Sequence, residues 1–342
     1  MSQRIAWIDC WKGIAIITVV VSHIIEPVSK YLFWFHMPLF FFMSGYLYRN
    51  KSDYFAYFKR KFFHLLIPYL SFLILLSSHQ YASYILNIWQ QKGNYSINEV
   101  LKFTLNLVYG GENITGSLGI FWFVTCLFLT QQLYNLLYSR FGANHWLMIT
   151  IMLGSYCLAM INCWFMQNVS FPWSMNVVAM ALPFYWIGHM AASSSINHAK
   201  AAILSIVIIV VAFVIDNWAF FDITFNMKYR RYGVVIFNVV IALAGIIIVQ
   251  ELAKILYKKN YIGSALSEIG KASMIIMYLH QIIQLNMNKT LILNNEIIRL
   301  IAGLLIPYVL YKIINNYSIM RKIFLGEFAT NKVVKTPDIS KA

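Results

Sequence analysis

Phe33-Trp34-Phe35-His36-Met37-Pro38-Leu39-Phe40-Phe41-Phe42-Met43-Ser44-Gly45-Tyr46 follows directly on a hydrophobic passage that carries Asp9, Lys12, His23 and Glu26. Two such runs in succession read as membrane helices, because each is apolar enough to be buried along its length. A helix that only anchors a chain has no use for ionisable groups, and side chains of that kind inside a span are functional candidates by default. At about 100° per residue, with Lys12 as zero, Asp9 falls near +60°, His23 near +20° and Glu26 near −40°. All four then share one stripe of one helix. At ~1.5 Å of rise per residue, Lys12 and His23 lie roughly 16 Å apart along the axis, at two depths of one polar lane.

The rest of the composition agrees with a membrane location. Of the 342 residues, 60% are hydrophobic and 11% charged, where a soluble domain carries about 25% charged residues. A formal net charge of +15 raises nucleic acid as a partner, but in a membrane protein the first question is on which side the cations lie. With the N-terminus inside, Lys30, Lys92, Lys102, Lys228, Arg230, Arg231, Lys289 and Arg299 face outward, and the other nineteen of the 27 Lys and Arg face the cytoplasm. That asymmetry predicts both termini cytoplasmic and explains the basic balance without nucleic acid. The first segment, interrupted by Asp9 and Lys12 and followed by no small-residue cleavage pattern, reads as a signal anchor. Cys10, Cys126, Cys157 and Cys163 lack the paired spacing of a zinc site or disulfide framework and read as small core residues, so no metal is expected.

Passages long enough to span occur near 8–25, 31–48, 62–79, 118–138, 146–163, 176–192, 201–217, 234–253, 273–290 and 297–314. The expected fold is therefore an all-α integral membrane protein, a bundle of about ten transmembrane helices over residues 1–328, with a disordered cytoplasmic tail at 329–342. The ninth passage is diluted by Gln281, Gln284, Asn286 and Asn288, as a helix facing a bundle cavity would be. Two outer loops, about 80–117 and 218–233, exceed what a connector needs. Topology alone places acceptor recognition there, near Glu112, Asp216, Asp222 and Arg230.

Several of these side chains suit acid–base chemistry or anion binding. His23, three residues before Glu26, has the spacing of a histidine oriented by a carboxylate, as a general base for a hydroxyl would be; a packed histidine bonded to a neighbouring helix is the plainer alternative. His36 precedes Met37-Pro38, where proline marks a helix start or kink with His36 directed into the lane, or else sits beside the interfacial aromatics Phe33, Trp34 and Phe35. Lys61 and His64, one turn apart, can reach one phosphate together, whereas Lys59 and Arg60 are accounted for by positive-inside anchoring. Ser273 and His280 share a face of the ninth passage, with Tyr278 nearby. No zinc-protease, phosphate-loop or nucleophile-elbow spacing is present, so the residues by themselves point to a histidine-based intramembrane acid/base site with the reaction unnamed.

The order of these segments resembles acyltransferase family 3, the polytopic O-acyltransferases related to fucose 4-O-acetylases. The likeness rests on Asp9-x-x-Lys12-Gly13 followed by His23, on Phe35 to Tyr46, on Leu65-Leu66-Ile67-Pro68-Tyr69, on Leu118 to Phe123, on Phe184 to Gly188, and on Gly270-Lys271-Ala272-Ser273 to Tyr278-Leu279-His280. The resemblance implies a multi-pass protein of the bacterial inner membrane, with membrane lipids around it. It further implies transfer of an acyl group, usually acetyl, from cytoplasmic acetyl-CoA to a sugar hydroxyl of a surface polysaccharide or its lipid-linked precursor. His23 matches the family's catalytic histidine, with Glu26, His36 and Asp9 placed in the same catalytic group. Lys12 stands where the family usually has arginine, and Lys61 and His64 where many members have two arginines a turn apart. A lysine is a point charge and a histidine can be neutral, so the expected grip of Lys12, Arg60, Lys61 and His64 on CoA phosphates differs from an arginine fork. Ser273, Tyr278, His280, His36 and Trp122 are the expected substrate and oxyanion contacts. Two other functions compete: a glycan or lipid carrier, which would not consume acyl-CoA, and a non-catalytic scaffold, which would tolerate loss of His23, His36 and His280.

Overall fold

The computed structural model describes residues 6–49, 53–90, 96–194, 198–218, 221–290 and 294–328. The helices are α1 (Ala6–Ser22), α2 (Glu26–Phe33), α3 (His36–Tyr46), α4 (Tyr54–Lys61), α5 (Ile67–Trp89), α6 (Ile97–Tyr109), α7 (Trp122–Phe141) and α8 (His145–Phe165). They continue with α9 (Met175–Ala191), α10 (His198–Asn217), α11 (Phe237–Tyr257), α12 (Asn260–Lys271), α13 (Ser273–Asn288), α14 (Glu296–Asn316) and α15 (Ser318–Leu325). Among the described residues no β-strand forms, and one isolated bridge joins Asn226 to Arg231. The protein is an all-α, multi-pass membrane protein, with a helix on each of the ten apolar passages. The tail expected at 329–342 lies outside the described residues.

Six helical segments among the described residues are long and apolar enough to cross a membrane: Tyr54–Trp89, Gly116–Phe141, His145–Phe165, Ala199–Asn217, Phe237–Tyr257 and Glu296–Asn316. The remaining four passages form α1, α3, α9 and α13, each of 17 residues or fewer. The division has a physical cause. Only 11% of the apolar stretch in Ala199–Asn217 is buried in protein, so that helix must be continuous and nonpolar to face lipid. Short helices with polar residues persist where other helices shield them, and α1, α3 and α13 are of this kind.

Two glycine crossings hold those central helices. A Cβ on Gly13 of α1 would fall 2.0 Å from the Leu266 carbonyl oxygen, and one on Gly270 of α12 would fall 1.8 Å from that of Asp9. The same reciprocity joins α3 and α9, where Gly45 meets the Tyr185 carbonyl and Gly188 that of Phe42, at 1.8 and 2.0 Å. Only glycine permits such backbone approach, and close packing of small residues is what draws helices together in lipid.

Prolines set the breaks. Pro27 has no N–H and its ring would meet the carbonyl of His23, so α1 cannot run on; it ends at Ser22, and α2 begins at Glu26 with the proline in its first turn. Pro68 does the same to His64. The chain responds with a π-helical turn over Phe62–Leu66, in which the Ile67 N–H reaches back to the Phe62 carbonyl. Such turns inside helices recur at functional sites because they re-aim side chains.

Candidate active site

A cavity of about 390 Å³ opens between α1, α3, α7, α12 and α13 and the π turn. Asp9, Lys12, Lys61, His64, Lys271, Ser273 and Tyr278 are among its walls. A second, smaller space of about 40 Å³ is lined by His23, His280, Trp122, Met37, Val19 and Ile120. Ile16, Phe40, Phe123 and Met277 line both, so the two are chambers of one lane separated by an apolar neck.

The wide chamber collects the positive charge. Lys12 lies 3.7 Å from the buried carboxylate of Asp9, its neighbour one turn earlier. Lys61 and His64, carried by the end of α4 and the π turn, face the same space, and Lys271 adds a cation from α12. The Lys271 ammonium is held 2.5 Å from Glu268, which also pairs with Lys312; these two cations hold the Glu268 carboxyl down at about 2. Gln131 and Ser44 line this chamber too, joined by a 2.7 Å hydrogen bond from the amide to the hydroxyl. Tyr278 is fully buried, stacked on Phe72 at 4.6 Å, and its hydroxyl has no partner among the described residues.

The narrow chamber is built differently. The rings of His23 and His280 lie 5.4 Å apart and tilted by 37°. His280 donates its Nδ1–H to the Ile276 carbonyl at 2.9 Å, since a carbonyl can only accept. His36 donates in the same way to the Leu32 carbonyl at 2.8 Å. Phe33 stands edge-on to both His23 and His36, at 5.8 and 4.6 Å.

Three loops meet at this end. Arg230, 1% exposed, donates to Glu112 at 3.0 Å, to the Val169 carbonyl at 3.2 Å and to the Gln167 carbonyl, so it ties the loops around 112, 168 and 230 together. Lys228 is buried beside it, donating to the Ile114 and Gly119 carbonyls at 2.7 and 2.9 Å. Burial pushes its ammonium down to about 8.

Among the sequence-predicted residues, Asp9, Lys12, Lys61, His64, Ser273 and Tyr278 meet around the wide chamber, and His23, His280 and Trp122 around the narrow one. Three of the expected site residues stand outside both chambers. Glu26 does not share a helix face with His23: the break at Pro27 puts it, exposed, in the first turn of α2. His36 lines neither chamber, and with its Nδ1–H committed to Leu32 a neutral His36 keeps only an acceptor nitrogen. Arg60 is exposed outside the wide chamber, its guanidinium 5.6 Å from the Tyr57 ring. The residues expected near the acceptor are engaged within the protein as well: Glu112 with Arg230, Asp216 at the end of α10 with Lys30 at 2.7 Å, and Asp222 with the Thr224 N–H at 2.8 Å. Sequence reasoning missed Lys271, Gln131 and Lys228. The first two carried a signal, a cation inside a quoted motif and an amide inside a span; a buried loop lysine carries none.

Residues 5–312 match the family described as an acyltransferase domain, acyltransferase family 3. The chain belongs to acyltransferase family 3. No curated protein and no solved structure matches it. As a family 3 acyltransferase, the protein is a membrane-embedded transferase of acyl groups, and the matched span contains every wall residue named above. Its chemistry has therefore to be sought inside the helical bundle.

Proposed function

We propose that this acyltransferase moves an acetyl group from cytoplasmic acetyl-CoA to a sugar hydroxyl of a surface polysaccharide or its lipid-linked precursor, in the inner membrane with both termini cytoplasmic. The observation that carries this reading is the single lane whose two chambers differ in chemistry. Lys12, Lys61 and Lys271 give the wide chamber the positive lining that CoA phosphates need, and His64 lines it as an uncharged polar ring. The neck is bounded by apolar side chains and suits the thin pantetheine arm. A space of about 40 Å³ beside His23 holds about three water-sized groups, which favours acetyl over a long acyl chain.

In the proposed reaction His23 takes the proton of the sugar hydroxyl as the oxygen forms its bond to the acyl carbon. The carbon–sulfur bond breaks, CoA leaves as the thiolate, and the proton passes from His23 to that sulfur. Tyr278, with its unpartnered hydroxyl, and Ser273 are the donors on the thioester's path through the wide chamber. Asp9 steadies Lys12.

The test is to incubate membranes bearing the native chain or His23→Ala, at matched expression, with radiolabelled acetyl-CoA and an extract of surface-glycan precursors. Label in an alkali-labile ester with the native chain alone supports the proposal. Failure of both to transfer label despite correct insertion would overturn the donor and acceptor assignment and favour a carrier, and transfer by both would remove His23 from the mechanism.

A further inference from the structure

The place that the sequence gave to Glu26, next to His23, is occupied in the fold by His280. Its ring is fully buried, lines the same narrow chamber and lies 5.4 Å from the His23 ring. Its Nδ1–H is committed to the Ile276 carbonyl, so its Nε2 carries a lone pair, and that atom has no partner among the described residues. A buried acceptor without a donor is costly, and a donor within reach is drawn to it. The neighbouring imidazole is such a donor.

We propose that His280 is the positioning residue that fixes the tautomer of His23. In this arrangement a chain of hydrogen bonds runs from the His23 ring N–H to Nε2 of His280, and from its Nδ1–H to the Ile276 carbonyl. The nitrogen of His23 that faces His280 keeps its proton, and the other nitrogen presents its lone pair to the acceptor hydroxyl. Which nitrogen of a histidine carries the proton is set by the bond that the other nitrogen makes, the same logic by which a third group orients the base in a nucleophile–base pair. The ring centroids stand 5.4 Å apart here with Nε2 of His280 unpartnered, and catalytic hydrogen bonds commonly tighten only once substrate closes the site. This inference deepens the reading of His23 as the base and rests on it.

The experiment uses the full-length chain in lipid nanodiscs with ¹⁵N-labelled histidine rings, with His23→Ala to assign the His23 signals. The native protein should give His23 the pair of ring-nitrogen shifts of one neutral tautomer. His280→Phe keeps the ring shape without an acceptor, and should convert those signals to a tautomeric average. His280→Gln, whose carboxamide oxygen can stand near the lost Nε2, should restore the single tautomer. In the acetyl-transfer assay His280→Phe should lower kcat about 100-fold with KM for acetyl-CoA unchanged, and His280→Gln should recover about tenfold of that loss. An unchanged His23 tautomer in His280→Phe, or a His280→Gln chain no different from His280→Phe, overturns the proposal. If His280→Phe fails to insert, His280→Asn takes its place: its side chain is too short to reach His23, and it must show the averaged signals. The spectra need no turnover, so a native chain that transfers no acetyl group would sink the reaction while the His23–His280 link is judged on its own.

Discussion

The two ends of the lane are opposites. The wide chamber of about 390 Å³ is lined by cations from three separate segments, whereas the narrow one of about 40 Å³ is apolar apart from two imidazoles and an indole. Charge tolerates loose geometry, because a phosphate is attracted from several ångströms away by any nearby ammonium. Proton transfer does not, because base and hydroxyl must meet within hydrogen-bond reach. The difference teaches why flexible lysine point charges suffice at the wide end, while the histidine end is held by a hydrogen bond to the backbone. One helix, α1, serves both ends, with Asp9 and Lys12 near its start and His23 just after its close.

This contrast can be broken most forcefully at the narrow end. His23→Ala should lower kcat for acetyl transfer about 1,000-fold while acetyl-CoA still binds, measured by equilibrium binding beside steady-state kinetics; retained turnover would erase the distinction between the ends. The next effect belongs to the crossing of α12 on the helix they share. Gly270→Val places side-chain carbon on the Asp9 carbonyl, and should destabilise the fold by about 1–3 kcal/mol. It should impair both donor binding and turnover. Gly154→Ala, where nothing lies within 4 Å of the added carbon, should leave the thermal unfolding of the detergent-solubilised protein unchanged.

At the wide end the expected change is smaller and of another kind. Lys61→Gln should raise KM for acetyl-CoA about tenfold with little change in kcat, the cost of one charge-assisted contact, and Lys61→Arg should restore it. A fall in kcat with KM unchanged would place Lys61 in the chemistry instead. The least effect concerns the frame of that chamber. The Glu268 carboxyl is held at about 2, below its ordinary value of 4.5, by Lys271 and Lys312. Its contribution to stability is therefore present above pH ~4.5 and is lost as the pH falls toward 2. The native chain should lose slightly more thermal stability than Glu268→Gln across that window, and parallel curves would detach the ion pairs from the frame.

Much of this arrangement was legible along the chain. The wheel angles of Asp9, Lys12 and His23 depend only on the helical period, and all three side chains do line the lane. Glu26 was misread because the same wheel was carried through Pro27, whose missing N–H ends the helix. The glycines at 13, 45, 188 and 270 lie in quoted motifs, but their pairing across α1–α12 and α3–α9 could not be read from spacing, since each partner is more than a hundred residues away. Lys228 illustrates the other limit: a loop lysine is expected in water, and here it is buried under three loops with two carbonyls to satisfy it.

By itself the sequence determined that the chain is a membrane-embedded helical bundle, because hydropathy over about twenty residues is a local property and lipid forbids unpaired backbone. It also pointed to Asp9, Lys12, His23 and His280 as ionisable groups inside the bundle. Only the tertiary structure decided which of them meet. His280 comes to His23 from a helix more than 250 residues away, while Glu26, three residues away, is turned out. Proximity in a folded chain is fixed by how helices cross and where prolines break them, and neither is written in the distance between residues along the chain.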